Sequence, residues 1–436
     1  MKRRLSEMLW IGVGNTTTAL GTLVGVRILT QFLRPEQYGV LSLVLGISTL
    51  AISLFSTPLT QAAIHYYPSV AATASPRVIL KSLLRCFRRM APWIGLALLG
   101  GGVVYTVWGH GSPIVVVLGV LVLAMDCWRS ANLSLLNAAR RHQRYILWTF
   151  IDTWARPLAG AAAVFVIGAS TEVVLAAYVA VSGILLLVFS RGLWREPDKV
   201  QARDAPNPVT DTLDARMWSY ALPLIPLGII GWASNLGDRY LIAGTLGVGA
   251  AGMYAAVYGL ACAPFMMVGG TVELALRPAH QSAVAAGDNE RAASIFRYWL
   301  LAVVTICAVG VVIFAFGHRL VAEICVARAY RSASGLMPWI GLGYAIRSAS
   351  YVFERICYAY GQTRRVLTIQ ICAVVATAIA TPVGVLCAGL IGAAIAVPVY
   401  FSIQLATAIV LAGRTLSEAT KGSRELSGAT LTRASG

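Results

Sequence analysis

The chain has 436 residues, 58% hydrophobic and only 12% charged, where soluble domains carry roughly 25% charged residues. That balance excludes an ordinary soluble enzyme and makes apolar stretches of about 20 residues the structural unit. The net charge of +17 would suit a nucleic-acid binder, but the basic residues are spread over alternate loops with no compact basic domain to grip a duplex, so no nucleic-acid partner is expected.

The opening MKRRLSEMLW has the charged start of a signal peptide. The apolar stretch behind it is long and lacks a clear small-residue cleavage site, so it reads as a retained signal anchor. Candidate spans then follow at about 8–33, 38–58, 91–108, 113–136, 146–168 and 172–190, and again at 218–244, 248–272, 298–317, 335–360, 366–387 and 389–412. Backbone groups in hydrocarbon must bond within their own segment, and nothing alternates over the roughly ten residues of a barrel strand. An all-α polytopic membrane protein of about 12 transmembrane helices is expected.

Between the two sets of spans lies RGLWREPDKVQARDAPNPVTDTLDAR, 191–216, with five basic residues, five acidic residues and three prolines. It reads as a linker between an N-terminal six-helix lobe, 1–190, and a C-terminal six-helix lobe, 217–412, with 413–436 as a tail. With the N-terminus inside, the inside segments hold 25 of the 35 Lys and Arg, from Lys2, Arg3 and Arg4 onward. The outside turns then hold Arg34, Arg319, Arg328 and Arg331. The positive-inside bias therefore places linker, tail and both termini in the cytoplasm.

The halves repeat. RILTQFLRPEQYGVLSLVLG, from Arg27, lies over RYLIAGTLGVGAAGMYAAVYG, from Arg239, with one inserted residue, so that Arg27 meets Arg239, Gly39 meets Gly252 and Gly46 meets Gly259. NAARRHQRY and YAYGQTRRV pair Arg144 with Arg365. Six spans per half make this a parallel repeat.

Six arginines fall within spans, Arg27, Arg129, Arg156, Arg239, Arg347 and Arg355, together with Asp126, Asp152, Asp238 and Glu354. Each costs about 2.5–3.5 kcal/mol at mid-membrane unless it faces water or a partner, so a polar interior is implied. Asp126 and Arg129 are three residues apart, Asp152 and Arg156 four apart, so each pair shares a helix face. Arg347, Tyr351 and Glu354 share another stripe. Two readings stand side by side. The charges fix the bundle as ion pairs between helices, or their positive excess lines a cavity for an anion, because arginine presents a bidentate fork to phosphate and carboxylate. On the second reading Arg27, Arg129, Arg156, Arg239 and Arg347 are the candidate substrate-binding residues, and Asp126, Asp152, Asp238 and Glu354 balance charge or couple transport.

Three further strings are weighed. GTLVG, Gly21–Gly25, is a close-packing signature. GVGAAG, Gly247–Gly252, matches a dinucleotide pattern but falls between two spans rather than inside a βαβ unit, so it reads as a turn. The five histidines and eight cysteines lack ligand spacing, and no metal or other cofactor is expected.

LRPEQYGVLSLVLGIS (33–48), LGDRYLIAGTLGVGAAGMYAAVYGLA (236–261), LRPAHQSAVAAGDNERA (276–292) and GLIGAAIA (389–396) stand in this order. They resemble the landmarks of the bacterial polysaccharide flippases of O-antigen type, within the multidrug, oligosaccharidyl-lipid and polysaccharide exporter superfamily. The resemblance implies two six-helix lobes facing a central cavity. It also implies transport rather than catalysis: polyprenyl-pyrophosphate-linked oligosaccharide is carried from the inner to the outer leaflet of the cytoplasmic membrane for surface polysaccharide biosynthesis, with the pyrophosphate paired to some of the five arginines. The implied partners are the lipid-linked oligosaccharide, the bilayer, and polysaccharide polymerase and chain-length proteins, with coupling to a proton or sodium gradient left open. A multidrug or ion-coupled exporter of the same superfamily is the alternative. A membrane polymerase or ligase is a further one, although it would need a large outside loop and the longest outside segment, 317–334, has about 18 residues.

Overall fold

The computed structural model describes residues 17–18, 20–73, 77–108, 112–139, 141–194 and 208–434. The basic start with Lys2, Arg3 and Arg4, Arg140, and the middle of the expected linker, 195–207, lie outside the described residues. The described residues form helices and short turns without a strand, as lipid requires of a chain that must satisfy every backbone group internally.

In chain order the helices are α1 (Leu20–Phe32), α2 (Pro35–Ala51), α3 (Thr57–Thr73), α4 (Arg77–Trp108), α5 (Pro113–Ala138), α6 (His142–Ile167), α7 (Thr171–Trp194), α8 (Pro208–Ala221), α9 (Ile225–Leu246), α10 (Val248–Ala285), α11 (Asn289–Cys325), α12 (Met337–Ala359) and α13 (Thr363–Ala434). Among the described residues, eight helical stretches are long and apolar enough to cross a membrane. The expected spans 91–108 and 335–360 lie on α4 and α12, outside those eight, and the described part of 8–33 is the shorter apolar helix Leu20–Phe32, whereas 366–387 and 389–412 share the single stretch Thr363–Glu418.

Proline and glycine punctuate the sequence where helices begin and end. Pro35 and Pro113 open α2 and α5, where a missing N–H costs nothing. The side chain of Gln37 accepts from the Arg34 amide at 3.0 Å and donates to the Ala169 carbonyl at 2.8 Å, which caps α2 and ties it to the α6–α7 turn. Of the nucleotide-like string GVGAAG only Gly247, at φ 95°, forms the break between α9 and α10, and Val248–Gly252 are already the first residues of α10.

The chain divides into two compact units, Met1–Ala243 with Val248–Gly252, and Gly244–Gly247 with Met253–Gly436. The first unit holds two main cores. Leu29, Leu33, Leu41, Val122, Val164 and Leu175 bring α1, α2, α5, α6 and α7 together; Leu59, Ala62, Ile79, Leu83, Leu135 and Met217 join α3, α4, α5 and α8. The GTLVG glycines pack as expected, Gly21 against Trp154 and Gly25 against Pro157 of α6.

The unit extends to Ala243, and within it α9 is fastened to α2. The Tyr240 hydroxyl donates to the Leu43 carbonyl at 2.7 Å, the Trp232 indole donates to the Gly46 carbonyl at 2.8 Å, and Gly228 lies on the Ser53 backbone. Glycine also lets α2 meet the start of α10, where Gly39 and Gly252, the residues paired by the sequence repeat, touch through their backbones. Between α2 and α3 the helix widens into a π-turn, Ile52–Ser56, from which the Ser56 hydroxyl donates to the Cys127 carbonyl at 3.1 Å.

The second unit is built from α10 to α13. Ile356, Cys357, Val366, Ile369, Ala408 and Ala412 form a core between α12 and both arms of α13. Helix α13 breaks at Ala388 and Gly389, the latter at φ 59°, a conformation open to glycine without a Cβ penalty. The chain reverses there, and the Gly384 and Gly392 backbones come into direct contact across the two arms.

Candidate functional site

Among the described residues, the largest concentration of buried charge lies in the first unit, where α5 brings Asp126 and Arg129 and α6 brings Asp152 and Arg156. Spacing puts each pair on one helix face, and ion pairs between helices were one of the two readings. The structure holds both kinds of contact. Arg156 donates from Nη2 to Asp126 Oδ1 at 2.5 Å and from Nη1 to Asp126 Oδ2 at 3.3 Å, while Arg129 Nη1 lies 3.1 Å from Asp152 Oδ2. Within the helices, Arg129 Nε donates to Asp126 Oδ1 at 3.2 Å, and Arg156 Nε stands 3.0 Å from Asp152 Oδ1. Each arginine thus meets both aspartates in a closed ring of four whose formal charge is zero.

The ring is dry on most sides, with side-chain exposures of 6% for Asp126, 7% for Asp152 and 10% for Arg156. Arg129 is more open at 20%. The guanidinium of Arg156 also sits 5.8 Å from the Tyr178 ring centroid, a cation–π distance. Coulomb attraction is strong in such a setting only because four charges offset one another's desolvation. The positive excess expected in the spans is therefore not located here.

Elsewhere in this unit Arg27 on α1 and Arg239 on α9 are half-buried. The Asp238 carboxylate accepts from the backbone N–H of Arg239 at 2.8 Å, so it braces the helix at that residue.

In the second unit Arg347 of α12 is held by aromatic groups. It donates to the Tyr351 hydroxyl at 2.6 and 3.1 Å, and its guanidinium lies 5.4 Å from the Tyr344 ring, 5.2 Å from Tyr351 and 5.1 Å from Phe401. Tyr258 of α10 backs the cage through a 3.0 Å contact between hydroxyls with Tyr344. These partners orient the guanidinium without supplying an opposite charge. Glu354, expected on the same stripe, turns instead toward α13, where its carboxylate accepts from Gln370 at 3.0 Å and from Gln404 at 2.9 Å. Arg355 finds a counter-charge in Glu273 at 2.8 Å, a residue just beyond the expected span 248–272.

Sequence reasoning missed Gln370, Gln404, Glu273 and the cage of Tyr258, Tyr344 and Phe401. The two amides, each alone in an apolar run, were the available signal. Glu354→Ala is expected to leave both amide donors without their acceptor, each at about 1–3 kcal/mol, whereas Glu354→Gln keeps one acceptor and holds most of the stability. Unfolding midpoints of the purified variants measure the difference, and equal midpoints for the two would remove the carboxylate from any structural role.

Residues 5–284 match a family model described as polysaccharide biosynthesis protein. No curated protein matches the sequence. Among solved structures, a multidrug resistance MATE family transporter of the MOP superfamily in an inward-facing conformation is similar at TM-score 0.71 and 12% identity, covering 94% of this chain and 96% of that one. The lipid II flippase MurJ, inward closed, is similar at TM-score 0.71 and 10% identity, over 95% of this chain and 92% of that one. A MOP superfamily transporter from Pyrococcus furiosus follows at TM-score 0.59 and 11% identity, covering 95% of each chain. At such identities the likeness establishes a shared fold.

Proposed function

The chain belongs to the polysaccharide biosynthesis protein family, and on that premise we propose that it carries polyprenyl-pyrophosphate-linked oligosaccharide from the inner to the outer leaflet of the cytoplasmic membrane by alternating access. The family match over residues 5–284 is the observation that carries this reading, and the fold shared with a lipid flippase supports it. The protein transports and does not catalyse. Both termini face the cytoplasm, and a polymerase and chain-length proteins receive the cargo.

Arg129 and Arg156 are matched by carboxylates in the ring and hold α5 to α6. Recognition of the pyrophosphate is assigned to Arg27 and Arg239 because the sequence alignment places these two arginines at equivalent positions. An arginine fork fits a phosphate bidentately where a lysine would act as a point charge. Asp238 positions Arg239 through the backbone.

Deleting the gene is expected to abolish surface polysaccharide and to leave lipid-linked oligosaccharide on the inner leaflet. Arg27→Ala and Arg239→Ala should reproduce the loss with protein levels intact. Unchanged polysaccharide in the deletion would overturn the flippase reading; unchanged polysaccharide in both variants would overturn the residue assignment alone. The multidrug MATE neighbour favours one other reading, a drug exporter, for which the deletion would raise drug sensitivity and leave the polysaccharide as it was.

A further inference from the structure

The first turns of α4 carry basic residues on one face and apolar residues on the other. Lys81, Arg85, Arg88 and Arg89 follow one another at i, i+4, i+7 and i+8, a single face. Ile79, Leu83, Cys86 and Met90 occupy the opposite face and are buried against α3, α5 and α8. Lys81, Arg88 and Arg89 are exposed, while Arg85 is engaged by Asp214 of α8 at 2.7 and 2.9 Å. The whole of α4 contains no acidic residue.

Length places this stripe at the membrane surface. The 32 residues of α4 rise about 48 Å, against a hydrocarbon core of about 30 Å, and the uninterrupted apolar run begins only after Arg89. Tyr66, Tyr67 and Trp218 pack part-buried against the same core, and amphipathic aromatics of this kind settle at headgroup level.

We propose that the exposed stripe Lys81, Arg88 and Arg89 of α4 is a docking surface for anionic phospholipid headgroups, whose phosphodiester charge it complements. The apolar face is already filled by the protein's own core, so the stripe is turned outward, and the neighbour that adjoins a basic surface at the end of a span is the charged face of the bilayer.

Native mass spectrometry of the full chain, titrated with phosphatidylglycerol and separately with phosphatidylcholine, tests this. The wild type should retain phosphatidylglycerol preferentially, and a K81Q/R88Q/R89Q variant should bind it about 100-fold more weakly with phosphatidylcholine binding unchanged. A control, R319Q/R328Q/R331Q, should keep the preference. Should the triple variant fail to fold, Arg88→Gln alone, at an exposed site, is expected to lose about five-fold. No preference in the wild type, or equal losses in stripe and control variants, would overturn the proposal. Displacement of the phosphatidylglycerol by inorganic pyrophosphate would overturn it too, making the stripe a site for cargo headgroups. None of these measurements involves cargo movement, so their outcome is independent of the flippase reading.

Discussion

Asp126→Ala is expected to destabilise the purified protein by about 3–5 kcal/mol, read as a large fall in its unfolding midpoint. Asp126 accepts from both Arg156 and Arg129, so its removal leaves two guanidinium groups sharing Asp152 in a site where Arg156 is only 10% exposed. A buried charge without its partner keeps the desolvation cost and loses the Coulomb gain. Removing charges in matched pairs should behave differently. Asp126→Leu with Arg129→Met leaves Asp152 and Arg156 to neutralise each other, and the double variant is expected to recover most of the lost stability. A midpoint unmoved in Asp126→Ala would mean that the ring does not hold α5 and α6 together.

Gly252→Ala is expected to be nearly as damaging, for a steric reason. A Cβ at Gly252 would collide with the Pro35 carbonyl oxygen and lie 2.8 Å from the Gly39 amide nitrogen and 3.0 Å from its Cα. All three are backbone atoms, which cannot rotate away as a side-chain tip can. Overpacking of this kind costs about 1–3 kcal/mol and outweighs the roughly 1 kcal/mol that alanine otherwise gains over glycine in a helix. Gly259→Ala, also on α10, meets open space and should be neutral or slightly stabilising. Folded yield from membranes and thermal midpoints compare the two; equal behaviour would show that α2 and α10 do not rely on the close approach.

The helices were legible because lipid imposes long apolar runs and Pro35, Pro113 and Gly247 punctuate them. Gly39 and Gly252, which the sequence alignment pairs, meet in space, a contact that no alignment of the two segments foretells. Ion pairs between helices were one of the two readings, but which helices would supply the partners was not legible. The spacing of Asp126 with Arg129 and of Asp152 with Arg156 reports which face a residue occupies, and cannot report that the faces of α5 and α6 confront each other. The Arg347 cage draws one tyrosine from α10, two from α12 and a phenylalanine from α13, so no local window contains it. Glu354 was placed on one stripe with Arg347 and Tyr351, but the spacing could not indicate that Gln370 and Gln404 of α13 donate to its carboxylate.

The break in α13 bears on how the protein enters the membrane. No charged residue lies between Arg365 and Arg414, so the turn at Ala388 and Gly389 carries no basic signal to choose a side. Orientation has to be set at the far ends of the arms, by Arg364 and Arg365 at one end and Arg414 at the other. With the Gly384 and Gly392 backbones in contact, the two arms would pass from translocon to lipid as one unit, and a basic residue placed at the turn would set insertion against itself.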